Sequence, residues 1–225
     1  MTRTSLAHLS PVEQLRAPRL TRRLVQLLLG LALYGGSMAL IVRASLGLDP
    51  WDVLHAGIVG HTSFSFGTVV VIVGFVVLLL WIPLRQLPGF GTLANVVLIG
   101  VACDVALGVI STPDGFWARL AMLVAGVVFN ALAGALYIGS QLGTGPRDGL
   151  MTGLTRRTGR SVRLVRTSIE VSVLVVGFLL GGAVGLGTVV YALAIGPLVH
   201  WMLPWATVDL GAHPIVREEM ALIGD

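Results

Sequence analysis

The chain has 225 residues, 55% of them hydrophobic and only 12% charged, with a formal charge of +4 and a mean hydropathy of +0.90. That balance excludes an ordinary soluble domain and makes lipid the solvent. Every basic residue is an arginine and none lies in a patch interleaved with aromatics, so no nucleic-acid partner is expected.

Residues 1–23 read as a polar, proline-containing cytoplasmic arm. Arg16, Arg19, Arg22 and Arg23 precede the first apolar run as they would in a signal peptide. That run, Leu24 to Val42, exceeds the ~7–15 residues of a signal core and is followed by Arg43 rather than a cleavage site, so it reads as a retained helix. Six apolar segments follow one another at roughly 24–45, 66–84, 91–111, 118–139, 167–184 and 187–203, most near the ~17–25 residues that cross a hydrocarbon core. The fifth is the weakest. Residues 204–225 read as a solvated cytoplasmic tail.

Arginine placement gives the orientation, because basic loops stay cytoplasmic. The arm, the 85–90 and 140–166 connections and the tail together hold thirteen arginines; the other side has only Arg43 and Arg119. Both termini are therefore expected in the cytoplasm.

Shifting the sequence by 96 residues against itself, without a gap, places Leu46-Gly47 on Leu142-Gly143, Pro50 on Pro146, Asp52 on Asp148, Leu54 on Leu150 and Gly57 on Gly153. The same shift carries Gly89, Gly91 and Thr92 onto Gly185, Gly187 and Thr188, and Gly100 onto Gly196. One register held over that span marks a duplication. Each copy is a helix, a Leu-Gly-x-x-Pro-x-Asp segment, a second helix and a third opened by Gly-x-Gly-Thr. Three crossings per copy is an odd number, so the second copy enters the membrane inverted. The expected fold is an all-α polytopic membrane protein with six transmembrane helices in two inverted three-helix repeats, 24–111 and 112–203. Each repeat carries a short re-entrant or interfacial helix after its first span. Inverted repeats are a known construction for secondary transporters, with sites near the midplane.

Asp49-Pro50-Trp51-Asp52 is helix-start chemistry, with Asp49 as N-cap, Pro50 at the first helical position and Asp52 in the first turn. The second copy has Gly145, Pro146, Arg147 and Asp148. A helix of about ten residues spans only ~15 Å, half a hydrocarbon core. Two readings stay open for Asp52 and Asp148: acids brought to a shared cavity to bind a cation or proton, or plain helix caps at the headgroup level. Trp51 reads as an interfacial anchor or a lid, and Arg147 as a topology signal or an anion contact. Thr92 and Thr188 read as caps of tight turns or as neighbours of backbone donors lining a cavity. No lysine follows either Gly-x-Gly-Thr, as a P-loop would need.

Tyr34, Asn95, Asp104, Asn130, Glu170 and His200 are polar groups inside spans and candidates to line a pathway. Glu170 follows Arg166 by four positions, the spacing of a helical ion pair. Asp104 and His200 are equivalent under the shift and would relay protons if both reached the midplane. His55 and His61 stand six apart in a stretch read as loop, without a partner at ligand spacing, and Cys103 has no nearby partner. No metal, cofactor or catalytic set is expected, and the protein is not expected to be an enzyme.

The doubled Leu-Gly-x-x-Pro-x-Asp pattern, with Gly-x-Gly-Thr after the second apolar segment, resembles the YczE/YyaS/YitT-type membrane proteins, most closely the YczE branch. The resemblance covers Gly30 to Leu203. It implies a multipass protein of the bacterial inner membrane, and some members are associated with the production or export of secondary metabolites. The favoured reading is a small-molecule transporter or permease-like protein working by alternating access, with Asp52 and Asp148 in a coupling or binding role. Pro50, Pro146, Trp51, Arg147, Thr92, Thr188 and Asn130 surround them. The alternative is an accessory protein that recruits or regulates a cytoplasmic protein through the basic 147–166 loop.

Overall fold

A computed structural model describes residues 9–211; Arg3, Arg217, Glu218 and Glu219 lie outside them. Nine helices and no strand occur among the described residues: α1 (Pro11–Arg16), α2 (Leu20–Ala44), α3 (Pro50–Val59), α4 (Phe66–Leu84), α5 (Phe90–Val109), α6 (Phe116–Gly139), α7 (Pro146–Thr158), α8 (Val162–Leu179) and α9 (Leu186–Ala206).

Among the described residues, α2, α4, α5, α6 and α9 are long and apolar enough to cross a membrane. Their outward faces carry large apolar side chains, as expected where lipid replaces water. Trp117 at the start of α6, and Trp201 and Trp205 at the end of α9, are largely exposed, as tryptophans at a membrane–water interface are. The fifth expected segment, 167–184, is α8 at 162–179. It begins five residues earlier and takes in Arg163 and Arg166 ahead of Glu170. Those charges are why its apolar character falls short. The first span starts at Leu20 rather than 24, and the last runs to Ala206 rather than 203.

The arm is not a free extension over its described part. Ser10 and Glu13 form a capping box at the start of α1, and these bonds to Ser10 hold the Glu13 carboxyl below its usual range. Leu9 and Ala17 pack with Val208 and Leu210, joining the arm to the chain that follows α9. Arg23, counted as a topology signal, is fully buried. Its guanidinium donates to the carbonyls of Gln14, Ser140 and Gln141, satisfying carbonyls where α6 ends and the next turn begins.

Helices α2 and α6 form the centre, with α5 packed on α2 and α9 on α6. The short helices pack crosswise: α3 against α8, and α7 against α4. Positions 96 apart repeat each other's local geometry. Ser45 and Gln141 take left-handed backbone angles (φ 53° and 55°), followed by Gly47 and Gly143 (φ 111° and 130°). These turns carry the chain from a long helix into a short one and need residues tolerant of positive φ. Gly187 donates its N–H to Leu46 O and Gly91 donates to Leu142 O, both at 2.7 Å.

One pair of contacts is not repeated. α4 packs closely on α5, but α8 makes no comparable contact with α9. Gly67 and Gly100 put the α4 and α5 backbones so close that a Cβ on either would overlap the other. The equivalent positions are Arg163 and Gly196, and a Cβ on Gly196 would meet nothing within 4 Å. A long charged side chain thus stands where the first half has a glycine, and the two helices stay apart.

Candidate functional site

Short helices α3 and α7 begin with the same logic and end up facing each other. Pro50 and Pro146 occupy the first turn, where a missing N–H costs nothing. Asp49 caps α3 through its Oδ1, which accepts from the N–H groups of Trp51 at 2.9 Å and Asp52 at 3.3 Å. Helix α7 has Gly145 there and no side-chain cap. Both N-termini open onto one cavity of about 390 Å³, lined by residues of α2 to α9 and within the ~300–1,000 Å³ range of small-molecule sites. It extends to Arg166 and Glu170 on α8 and to His200 and Leu203 on α9, where those helices stand apart.

At the centre the Arg147 guanidinium lies 4.9 Å from the centroid of the Trp51 ring, within cation–π range. Its Nη1 is 3.7 Å from Asp49 Oδ1, an ion pair too long for a hydrogen bond. These two residues are each other's counterparts under the 96-residue shift. Arg147 therefore sits in the cavity wall rather than in a solvated loop, and Trp51 is buried among Val77 and Leu150 rather than facing the lipid interface.

The acids differ in environment. Asp148 lines the cavity, with Oδ2 accepting from the Tyr137 hydroxyl at 2.7 Å. Asp52 is fully buried behind the lining; its Oδ1 is 3.0 Å from His55 Nδ1, and its Oδ2 has no partner among the described residues. His55 thus lies on α3, one turn from Asp52, not in a loop. Asn130 bridges the two central helices and α9: its Nδ2 donates to Ser37 Oγ, and its Oδ1 accepts from the Tyr191 hydroxyl, each at 2.9 Å.

Thr92 and Thr188 lie outside the cavity. Their hydroxyls accept from Gly89 N at 3.2 Å and Gly185 N at 3.1 Å, and Thr92 also donates to Thr144 O at 2.7 Å. Asp104 and His200 are not brought together. Asp104 accepts from Ser65 Oγ and Gly67 N at the start of α4, whereas His200 is on the cavity wall. Arg166 and Glu170 form the ion pair their spacing implies, at 2.9 Å. No group of three or more His, Cys, Asp or Glu able to hold a metal occurs among the described residues.

A family model described as a family of unknown function, DUF6198, matches residues 21–204. The chain belongs to that family. The match spans both short helices and the whole cavity lining. The chain is 40% identical over 177 residues to an uncharacterized protein of Haemophilus influenzae, covering 79% of this chain and 81% of that one. It is 30% identical over 190 residues to the uncharacterized membrane protein YczE of Bacillus subtilis, covering 84% and 87% respectively. The uncharacterized protein YyaS of the same bacterium is 23% identical over 180 residues, covering 78% of this chain and 90% of that one. No solved structure matches. The multipass membrane character expected from the sequence agrees with the YczE relative and with the apolar helices.

The sequence-derived set of cavity candidates lacked the polar lining residues Asp49, His55, Tyr137, Arg166 and Tyr191. Asp49 was assigned only to capping, because its counterpart is Gly145. Tyr137, whose counterpart is Ile41, and Tyr191 were hidden by their apolar rings, although the shift pairs Tyr191 with Asn95 and Tyr34 with Asn130, a tyrosine and an amide in each pair. All four line the cavity.

Proposed function

We propose that this protein is a small-molecule transporter of the bacterial inner membrane, built from two inverted three-helix repeats with α8 as the sixth crossing and both termini cytoplasmic. The observation that carries this reading is the single cavity into which the N-termini of α3 and α7 open, one from each half of the chain. A broken-helix site shared by inverted halves is how many secondary transporters hold a solute near the midplane. The unequal partner pairs supply a motion: α4 closed on α5, with α8 parted from α9, leaves the cavity open on the arginine-rich side. Exchanging the two arrangements would open it on the other side. Bistable packing of this kind is what alternating access requires.

Asp49, Asp148, Arg147 and Trp51 contact the solute in this reading, and Asp52 with His55 forms the buried support behind Asp49. Thr92 and Thr188 hold the helix starts in register. Purified protein in proteoliposomes should accumulate at least one solute from a panel of organic cations, anions and neutral compounds, with uptake lost in Asp49→Asn and Asp148→Asn. Flux no greater than in empty vesicles across the panel contradicts transport. A second reading rests on Arg156, Arg160 and Arg163, which are exposed and offer a basic surface to a cytoplasmic partner. Loss of cellular function on neutralising them, with no flux in the wild type, favours that accessory role.

A further inference from the structure

The cavity's charge identifies the class of solute, if the transport reading holds. Of its charged lining, Arg166 and Glu170 neutralise each other at 2.9 Å, and His55 is engaged by Asp52 at 3.0 Å. What remains on the wall is Asp49, Asp148 and one arginine, Arg147, which lies against Asp49. Asp49 thus has a cation beside it, while Asp148 has no ion-pair partner among the described residues and its Oδ2 accepts only from the Tyr137 hydroxyl. The rest of the polar wall is four aromatic side chains, Trp51, Tyr34, Tyr137 and Tyr191, with the amides Asn95 and Asn130 and the imidazole of His200.

Arg147 shows what such a wall binds. Its guanidinium occupies the face of Trp51 at 4.9 Å and the flank of Asp49 at 3.7 Å, yet it makes no side-chain hydrogen bond among the described residues. A planar cation held by a ring face and a carboxylate, with no protein acceptor on its other donors among the described residues, is a loosely tethered occupant. We infer that the cavity takes a small organic cation, an ammonium or guanidinium bearing an apolar group, which displaces Arg147 from Trp51 and Asp49. The ligand's charge then sits between Asp49 and Asp148, and its apolar part lies against the valines and isoleucines of α4, α5 and α9. An anion would meet Asp148, which has no ion-pair partner among the described residues, while the Arg147 guanidinium is already committed to Asp49.

Calorimetric titration of the full chain in detergent, with phenethylammonium and with phenylacetate, tests this inference. The probes match in shape and oppose in charge. The wild type should bind phenethylammonium in preference. Arg147→Gln removes the internal competitor and should tighten that binding by about tenfold, while Asp49→Asn should weaken it by at least about tenfold. Asparagine remains a good N-cap, so the second variant keeps the start of α3; if it nevertheless fails to fold, the sign of the Arg147→Gln change decides alone. Preference for phenylacetate that Arg147→Gln abolishes, or no binding of either probe, overturns the inference. Uptake of anions or neutral solutes in proteoliposomes would then leave the transport reading standing, and absence of all flux would remove that reading separately.

Discussion

Arg23 and Arg147 show how differently two arginines can serve in a chain where the residue is otherwise a topology signal. Arg23 is buried on three backbone carbonyls between α1 and the end of α6. Replacing it by methionine keeps much of the volume and leaves buried carbonyls unpartnered, at about 1–3 kcal/mol each. Arg23→Met should lower the thermal unfolding midpoint in detergent markedly, by the equivalent of about 3 kcal/mol or more; an unchanged midpoint would show that water replaces the guanidinium. Neither role was visible from charge counting, which sees a loop position and not the depth at which a turn places it. Asp52 and Asp148 stood out because both copies keep them, but the shared position hid a difference. Asp148 faces the cavity, while Asp52 lies behind it and yields its place on the wall to Asp49, a residue only the first copy has. Repetition reveals what the two halves share, and the site is built largely from what they do not: Trp51 against Arg147, Asp49 against Gly145, and tyrosines against amides.

Among the elements, the long apolar helices were legible because length and hydropathy alone decide whether a segment can cross, and the 66–84 segment agrees with α4 to the residue. The short helices were legible from their caps. The crosswise packing of α3 on α8 and α7 on α4 was not, since partner choice depends on side-chain fit. Trp81 seats its ring on Gly149 and donates from Nε1 to Pro146 O at 3.0 Å. At the equivalent junction, Gly177 lies on the backbone of Val53 and Leu54. Large meets small in one junction and small meets large in the other. Gly100 and Gly196 separate stability from function at this scale. Gly100→Ala forces a methyl into Gly67 and Val71 and should cost about 1–3 kcal/mol, read as a lower unfolding midpoint. Gly196→Leu, with open space around it, should leave the midpoint within ~0.5 kcal/mol and yet abolish uptake, because α8 could no longer close on α9. Unimpaired uptake in Gly196→Leu would remove that closing motion from the mechanism.

At the scale of the whole molecule, the duplication was the most informative signal in the sequence, and the structure gives it local substance. The same left-handed turns and the same 2.7 Å bonds from Gly91 and Gly187 recur at a constant offset, and the helix neighbours recur save for α4 on α5. Alternating access follows only if the halves also cross the membrane in opposite senses, so that α3 and α7 reach the cavity from opposite surfaces. Position 61, after α3, and position 159, after α7, are both exposed, and Cys103 is the only native cysteine. The most direct test is therefore labelling of single cysteines at these two positions in a Cys103→Ala background, using a membrane-impermeant thiol reagent on intact cells. The account predicts that position 61 is modified from outside and position 159 only after the cells are opened; modification of both from the same side would contradict it.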